Sequence, residues 1–321
     1  MNLQIFLKTP HTLMTMSPAV AAAFERLLAV GRREFLTTTI DEMLCSAAGL
    51  VRQQDWPLAS LAALADGFSL PTEYVFFAQP VHVQLQRDSF TIAGPEALPL
   101  QKTEAHALLA LLNQHFAEQG LTFVQSLHCA HCWYLQVQTP PNIQTTPVNV
   151  AMGRDIRNLL PQGRDAAFWN AFLNEVQMLL FEHPLNQARE ARGELPVSGV
   201  WVYGGGVLPS KATGVLPMLF AEDVVARGLA RLQAGECHAV PQDMREVLRH
   251  EATHAWLVPV ESAAEVINGL PMLWQALRRG GLGQLELNIA LGDRVLQCRV
   301  GKWDTYQFWR KTRPWTEVLG G

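Results

Sequence analysis

The chain has 321 residues, 49% of them hydrophobic, and its 25 basic and 29 acidic side chains leave a formal charge of −4. That is enough apolar material for one large core or two moderate ones, and a balance without a broad basic footprint argues against a nucleic-acid partner. No apolar run reaches the length of a membrane span, and the opening MNLQIFLKTPHTLMTM lacks the zones of a signal peptide, so a cytoplasmic protein with no membrane partner is expected.

Residues 3–7 read as a first strand leading into Lys8-Thr9-Pro10-His11. Ser17-Pro18 has the form of an N-cap followed by a first-turn proline, opening a helix through Ala21, Phe24, Leu27 and Leu28. A second short helix should start near Pro57. Residues 73–83 are strand-like. Val81, Val83 and Leu85 alternate with His82, Gln84 and Gln86, which implies a half-buried strand that turns back near Arg87-Asp88 with His82 facing outward. Thr103 is the N-cap candidate of a helix through Leu108, Leu111, Leu112 and Phe116, closed by Gly120.

Five cysteines, Cys45, Cys129, Cys132, Cys237 and Cys298, are odd in number and mostly far apart, which fits reduced thiols better than a disulfide framework. Two of them lie in His128-Cys129-Ala130-His131-Cys132, a stretch dense in metal ligands. Its flanks, residues 121–124 and 133–137, are strand-like; if the strand runs through, His128 and Cys132 share one face while Cys129 and His131 take the other. Ligands so disposed cannot close on one tetrahedral ion, and buried thiols with hydrogen-bonded imidazoles are expected instead.

Pro140, Pro141 and Pro147 mark a turn-rich segment, the best place for a boundary between an N-terminal lobe (1–140, helices plus a small sheet) and a C-terminal α/β lobe (141–321), with a single domain as the alternative. After it come a helix over 165–181, a strand over 200–203, a helix over 221–232, a strand over 255–260 and a helix over 264–279. Leu285, Leu287 and Ile289 then face Leu296, Cys298 and Val300 across a hairpin turn at Gly292-Asp293. This alternation predicts an α/β fold with a mixed, mainly parallel sheet flanked by helices, and with additional strand hairpins. The short basic and aromatic stretch from Trp309 to Trp315 reads as a solvated end with aromatic packing.

The segment His250-Glu251-Ala252-Thr253-His254 matches the His-Glu-x-x-His pattern of zinc hydrolases, in which one helical face carries both imidazoles. A helix from Pro241 through Met244, Val247 and Leu248 reaches toward His254, but the β-prone run Ala255-Trp256-Leu257-Val258 follows at once and Pro259 closes it. Glu261 is the nearest third ligand and lies across that strand. A metal site of His250, His254 and Glu261 therefore stands as the minor alternative to no metal at all.

The richer stretch is upstream, HPLNQAREARGELPVSGVWVYGGGVLP. His183, Asn186, Arg189 and Arg192 precede a strand and a triple-glycine bend, where Gly204, Gly205 and Gly206 would let the backbone approach an anion with an arginine supplying charge. The competing reading is a tight turn passing a neighbour. This stretch resembles the His-Pro-x-Asn…Arg…Gly-x-x-Pro-x-Asn-x-x-Trp-x-Trp-Gly-x-Gly signature of archaeal-type, cofactor-independent phosphoglycerate mutases and of bacterial regulatory proteins of the RpfE type. Ala78-Gln-Pro-Val-His82, Asn113-Gln-His-Phe116, Asn174-Glu-Val-Gln-Met178 and the tail from Pro271 to Arg310 are similar to the RpfE-type branch. Ser198, Tyr203 and Gln79 depart from the family's Asn, Trp and Asp.

The resemblance implies an alkaline-phosphatase-like core. It also implies a two-metal site, for which the family uses an Asp-Gly near the first strand and an Asp-Glu-x-x-His after a late strand. Neither is present: Lys8-Thr9-Pro10-His11 and Glu261-Ser-Ala-Ala-Glu265 stand there instead. The implied protein is a catalytically degenerate, mutase-like regulator or ligand binder that needs no cofactor. Its ligand, small and phosphorylated or otherwise anionic, would sit among His183, Asn186, Arg189, Arg192, Trp201 and Gly204 to Gly206, and a regulatory protein partner is also implied. The alternative is a metal-dependent phosphotransferase or phosphatase with a rebuilt site.

Overall fold

The computed structural model describes residues 1–8, 10–68, 73–85 and 89–319. Their strands, in chain order, are β1 (Asn2–Leu7), β2 (Arg32–Leu36), β3 (Tyr74–Leu85), β4 (Phe90–Ala93), β5 (Leu121–Gln125), β6 (Trp133–Val137), β7 (Gly199–Val207), β8 (Met218–Ala221), β9 (Cys237–His238), β10 (His254–Val258), β11 (Gln284–Leu291) and β12 (Arg294–Gly301). Two units divide them, one of residues 1–50 with 211–321 and one of residues 51–210. The boundary expected at residue 140 thus falls inside the second unit. The proline-rich segment is tied down there: Gln144 and Gln162 exchange main-chain bonds, and Asp165 accepts from the Asn142 N–H at 2.7 Å.

The first unit is built on a seven-stranded sheet in the order β2-β12-β11-β1-β10-β8-β9. From β11 to β9 neighbouring strands are parallel, while β12 and β2 add antiparallel pairs at one edge. Central parallel strands are covered on both faces and must be apolar nearly throughout. In β1, accordingly, Leu3, Ile5, Phe6 and Leu7 are all buried. The helix Pro18–Val30 starts as its Ser17-Pro18 signal predicts, with the Ser17 hydroxyl accepting from Val20 N–H, and its Phe24, Leu27 and Leu28 join Leu3, Ile5 and Leu7 in one core. The β11–β12 hairpin turns at Gly292, where φ is +73°.

Several boundaries differ from expectation. Strand β2, Arg-Arg-Glu-Phe-Leu, is a largely exposed edge with no apolar alternation to betray it. The helix expected from residue 221 begins at Val224, because Ala221 completes β8 and Asp223 is the cap. The helix expected over 264–279 is two, Ala263–Asn268 and Leu270–Arg279, meeting at Gly269 just before Pro271. No helix among the described residues is long and apolar enough to cross a membrane.

The second unit carries an antiparallel sheet in the order β4-β3-β6-β5, with β7 also paired to β3. Helices Lys102–Phe116 and Ala166–Phe181 cover it, so that Leu108, Leu112, Trp169 and Phe172 meet Phe76 and Leu135. The first of these helices is capped by Gln101, not Thr103, through a reciprocal box with Glu104. The turn expected at Arg87-Asp88 lies outside the described residues. His82 is half-buried, its Nδ1 2.9 Å from the Pro196 carbonyl, so it does not simply face outward.

The triple glycine is not a bend after a strand but a bulge within one. Strand β7 continues to Val207, and between its pairings of Phe77 with Tyr203 and of Val75 with Gly206 it holds one residue more than β3. An extra residue needs an unusual backbone, and Gly204 supplies it at φ +64°. Gly204 and Gly206 turn the same way, toward Leu58 and Pro57 at the start of helix Leu58–Ala65. That helix starts where Pro57 predicts, and it packs on β7 and β3.

Candidate functional site

In parallel sheets the carboxyl ends of the strands form the crevice where ligands usually bind. In the first unit that edge carries a closed charge cluster. Lys8 follows β1 directly, Asp223 stands two residues after β8 and Asp41 lies in the first turn of helix Ile40–Ala47. The Lys8 ammonium donates to the Asp41 carboxylate and, at 2.5 Å, to that of Asp223.

Each partner has a second reason to be where it is. Asp223 caps helix Val224–Leu232 by accepting from Ala226 N–H at 2.9 Å. Asp41 sits near the positive end of its helix dipole, in a turn locked by the reciprocal Thr39–Glu42 box. The Lys8 and Asp41 side chains are 19% exposed and that of Asp223 is 8% exposed, so solvent screens the cluster little. Burial by itself would favour a neutral amine, but the Asp223 and Asp41 charges outweigh it and push the Lys8 pKa up. Burial, reinforced by the Asp223 charge and opposed by Lys8, pushes Asp41 up as well. Cys45, one turn beyond Asp41, is fully buried with its thiol pushed far up, chiefly by that burial.

Strand β10 lies between β1 and β8, and its exit loop is tied to the same edge. Glu222 accepts from the N–H groups of Val260 and Ser262 and from the Ser262 hydroxyl. Burial would raise this carboxyl; the Ser262 bonds and those from Val260 and Glu261 prevail and hold it below the ordinary range. Glu222 therefore anchors a loop.

Chemically, this edge offers a fixed cation between two carboxylates. The ammonium is held charged and so is no general base at neutral pH. The pair of divalent ions implied by the resemblance does not fit here, because the Asp41 and Asp223 carboxylates are already bonded to Lys8. Among the described residues, the one group of three or more His, Cys, Asp and Glu side chains close enough to hold a metal is elsewhere, at Cys129, His131 and Cys132.

The His250–His254 segment does not form a metal helix. Its helix ends at Arg249, leaving His250 as the C-cap with its ring 5.3 Å from that of Phe220. His254 opens β10, and Glu261 lies past the other end of that five-residue strand, which spans about 16 Å. The three candidate ligands are not brought together.

The signature residues of the second unit are near one another, but their polar atoms serve the fold. His183 caps helix Pro184–Ala191 by accepting from Leu185 N–H. Asn186 donates to the carbonyls of Leu180 and Val197 and accepts from Val197 N–H. Arg189, wholly buried, donates to Glu104, Pro99 and Leu195, and Arg192 reaches Glu104 and Glu194. The Gly204 N–H donates to the Thr145 hydroxyl, while Gly205 faces the rings of Phe76 and Tyr74. The expectation of an anion cradle at the glycines thus meets a backbone that neighbouring side chains already fill.

Trp201 is the exception among these residues, since it lines a cavity of about 240 Å³ together with Val81, Ile156, Leu173 and Asn174. Its indole N–H, donated to the Thr146 carbonyl, fixes the ring as a wall. Sequence periodicity could not have found this cavity, because its walls come from separate elements. The Lys8 cluster had one legible sign, a lysine directly after an apolar first strand.

The stretch 128–132 also differs from expectation. It is a tight turn joining β5 to β6, with Cys132 N–H bonded to the Cys129 carbonyl, and Cys129 and Cys132 are joined as a disulfide. Cys45, Cys237 and Cys298 are free. His131, half-buried, has its pKa lowered by that burial.

The family model for 2,3-bisphosphoglycerate-independent phosphoglycerate mutase matches residues 59–186, all within the second unit. An enzyme of that name from Methanosarcina barkeri (strain Fusaro / DSM 804) is 24% identical over 110 residues, 34% of this chain and 28% of its own length. One from Methanothrix thermoacetophila is 37% identical over 65 residues, 20% of this chain and 17% of its own. These matches support a relation to that family, and they span less than a third of the relatives' length. Among solved structures, the cofactor-independent phosphoglycerate mutase of Thermoplasma acidophilum aligns over 97% of this chain and 92% of its own at 16% identity and a TM-score of 0.40. The PH0037 protein of Pyrococcus horikoshii aligns over 94% and 87% at 12% identity and a TM-score of 0.47.

Proposed function

We propose that this chain is a phosphoglycerate-mutase-like protein of the RpfE type that has given up two-metal chemistry and acts as a cytoplasmic regulator or ligand-binding protein. The observation that carries this reading is the Lys8 ammonium held between Asp41 and Asp223 at the carboxyl ends of β1 and β8. A permanent cation there neutralises the carboxylates that a divalent ion would need, while an ammonium cannot act as a Lewis acid toward a phosphoryl oxygen.

The ligand site of this reading is the cavity beside Trp201, whose walls suit a ligand with an apolar body and a polar group within reach of Asn174 or Gln177. The test is turnover of 2- and 3-phosphoglycerate and of p-nitrophenyl phosphate by the full chain with magnesium, manganese or cobalt. No turnover is expected. Turnover that disappears in Asp223→Asn would overturn the proposal and favour the active phosphotransferase.

A further inference from the structure

We propose that Cys129, His131 and Cys132, once the cysteine pair is reduced, bind one zinc ion, and that forming the Cys129–Cys132 disulfide expels it. The ligand atoms of all three side chains lie within 4.8 Å of one another. In tetrahedral zinc sites, with bonds of about 2.0–2.3 Å, neighbouring ligand atoms are about 3.5–3.8 Å apart. The difference is about an ångström.

The backbone of the turn is well anchored. β5 and β6 pair up to Gln125 and Trp133 on either side of the turn, and the Ser126 N–H donates to the Cys132 carbonyl at 2.8 Å. The Trp133 indole donates to the Ala130 carbonyl at 2.8 Å, and the Gln79 amide reaches across from β3 to the His131 carbonyl at 3.0 Å. Such preorganisation removes much of the ordering cost that a ligand set on a loose loop would meet. All three residues are partly exposed, so an ion can enter.

Two thiolates and an imidazole are soft-to-borderline donors that favour zinc over magnesium or calcium, and three protein ligands leave a fourth position for water. Binding displaces the two thiol protons, which go to solvent. The reverse step uses a small-molecule disulfide such as oxidised glutathione. The two zinc-bound thiolates give up two electrons and join as Cys129–Cys132, the glutathione S–S bond breaks to two thiolates, and Zn²⁺ leaves. Attack proceeds through a mixed disulfide on one of the two cysteines.

The experiment is an anaerobic titration of the full, untagged chain, reduced with a phosphine, with Co²⁺ and then competing Zn²⁺. The thiolate-to-cobalt absorption reports the ligands, and circular dichroism reports the fold. We expect one ion per chain and a cobalt–thiolate band that oxidised glutathione abolishes in the unmutated protein, with two fewer titratable thiols afterwards. His131→Ala should weaken binding at least about tenfold and Cys132→Ser more, whereas Cys237→Ser should leave it unchanged. Absence of the band in the reduced chain, its persistence in Cys132→Ser, or its survival after oxidation would overturn the proposal. The oxidation arm needs no variant, so a misfolded mutant cannot hide the answer.

Discussion

Replacing Lys8 by methionine keeps most of the apolar stem and removes the ammonium. Asp41 and Asp223 then face each other, and because both touch one nitrogen now, their oxygens lie no more than about 5 Å apart, a repulsion on the order of 3 kcal/mol at an effective dielectric near 20. With the lost hydrogen bonds the total is about 3–5 kcal/mol, as for other buried pairs stripped of one partner. For a unit of this size that lowers the melting temperature by roughly 6–20 °C. In the unmutated chain the raised Lys8 pKa keeps the ammonium's contribution in force below about pH 10 and loses it only above. In the variant the sign belongs to Asp41. Asp41, which burial already pushes up, then binds its proton more tightly in the folded than in the unfolded chain, so the penalty is full at neutral pH and fades as pH falls toward about 4. Thermal and urea unfolding at pH 7.5, 6 and 4.5 checks this, with Lys8→Met/Asp223→Asn expected to recover the repulsive share. A loss at pH 7.5 no larger than that of the exposed Lys311→Met, or one that does not shrink toward acid, refutes the reasoning.

Arg189→Met should cost about 3–5 kcal/mol in urea unfolding, because Glu104 loses its buried partner and the carbonyls of Pro99 and Leu195 lose donors. Gly205→Ala drives a Cβ into the Phe76 ring and within 2.7 Å of Tyr74, and should cost about 1–3 kcal/mol or more by the same measurement. In the native protein Cys237 should react with iodoacetamide while buried Cys45 and Cys298 resist. Burial pushes the Cys298 thiol up to about 12. As pH rises past about 9 the unfolded chain releases a proton that the folded chain keeps, and stability should fall by about 1.4 kcal/mol per pH unit for this thiol. Urea midpoints from pH 8 to 10 should show a shallower decline in Cys298→Ala.

Legibility of the sequence followed how local the cause was. The helix after Ser17-Pro18 and the hairpin at Gly292 depend on neighbours in the chain, and they stand where they were expected. Strand β2 exists because β12 offers it an edge, and nothing in Arg-Arg-Glu-Phe-Leu records that. The triple glycine itself signals backbone free of side chains. The use of these glycines, room for Leu58, Pro57 and the Phe76 ring plus one bulge, depends on what packs on β7. At 128–132 two strand-like flanks suggested a strand through the middle, and the two-residue gap between the cysteines was instead a turn, which reverses the argument about facing ligands. The Lys8 cluster joins residues 33 and 215 positions apart, beyond the reach of any periodicity.

On the reading proposed above, the same cluster keeps the architecture of a metal site without its chemistry. A divalent ion among carboxylates does two separate things: it cancels their repulsion, so that the elements carrying them can converge, and it polarises the oxygen of a bound phosphoryl group. The first is a structural service that any buried cation can perform. Lys8 performs it for the end of β1, the cap of helix Val224–Leu232 and the first turn of helix Ile40–Ala47. The second needs empty coordination positions, and an ammonium, which offers only N–H donors, has none. On that reading, a chain with a lysine in place of the ion holds this edge of the sheet together at any metal concentration and lacks the means of moving a phosphoryl group there.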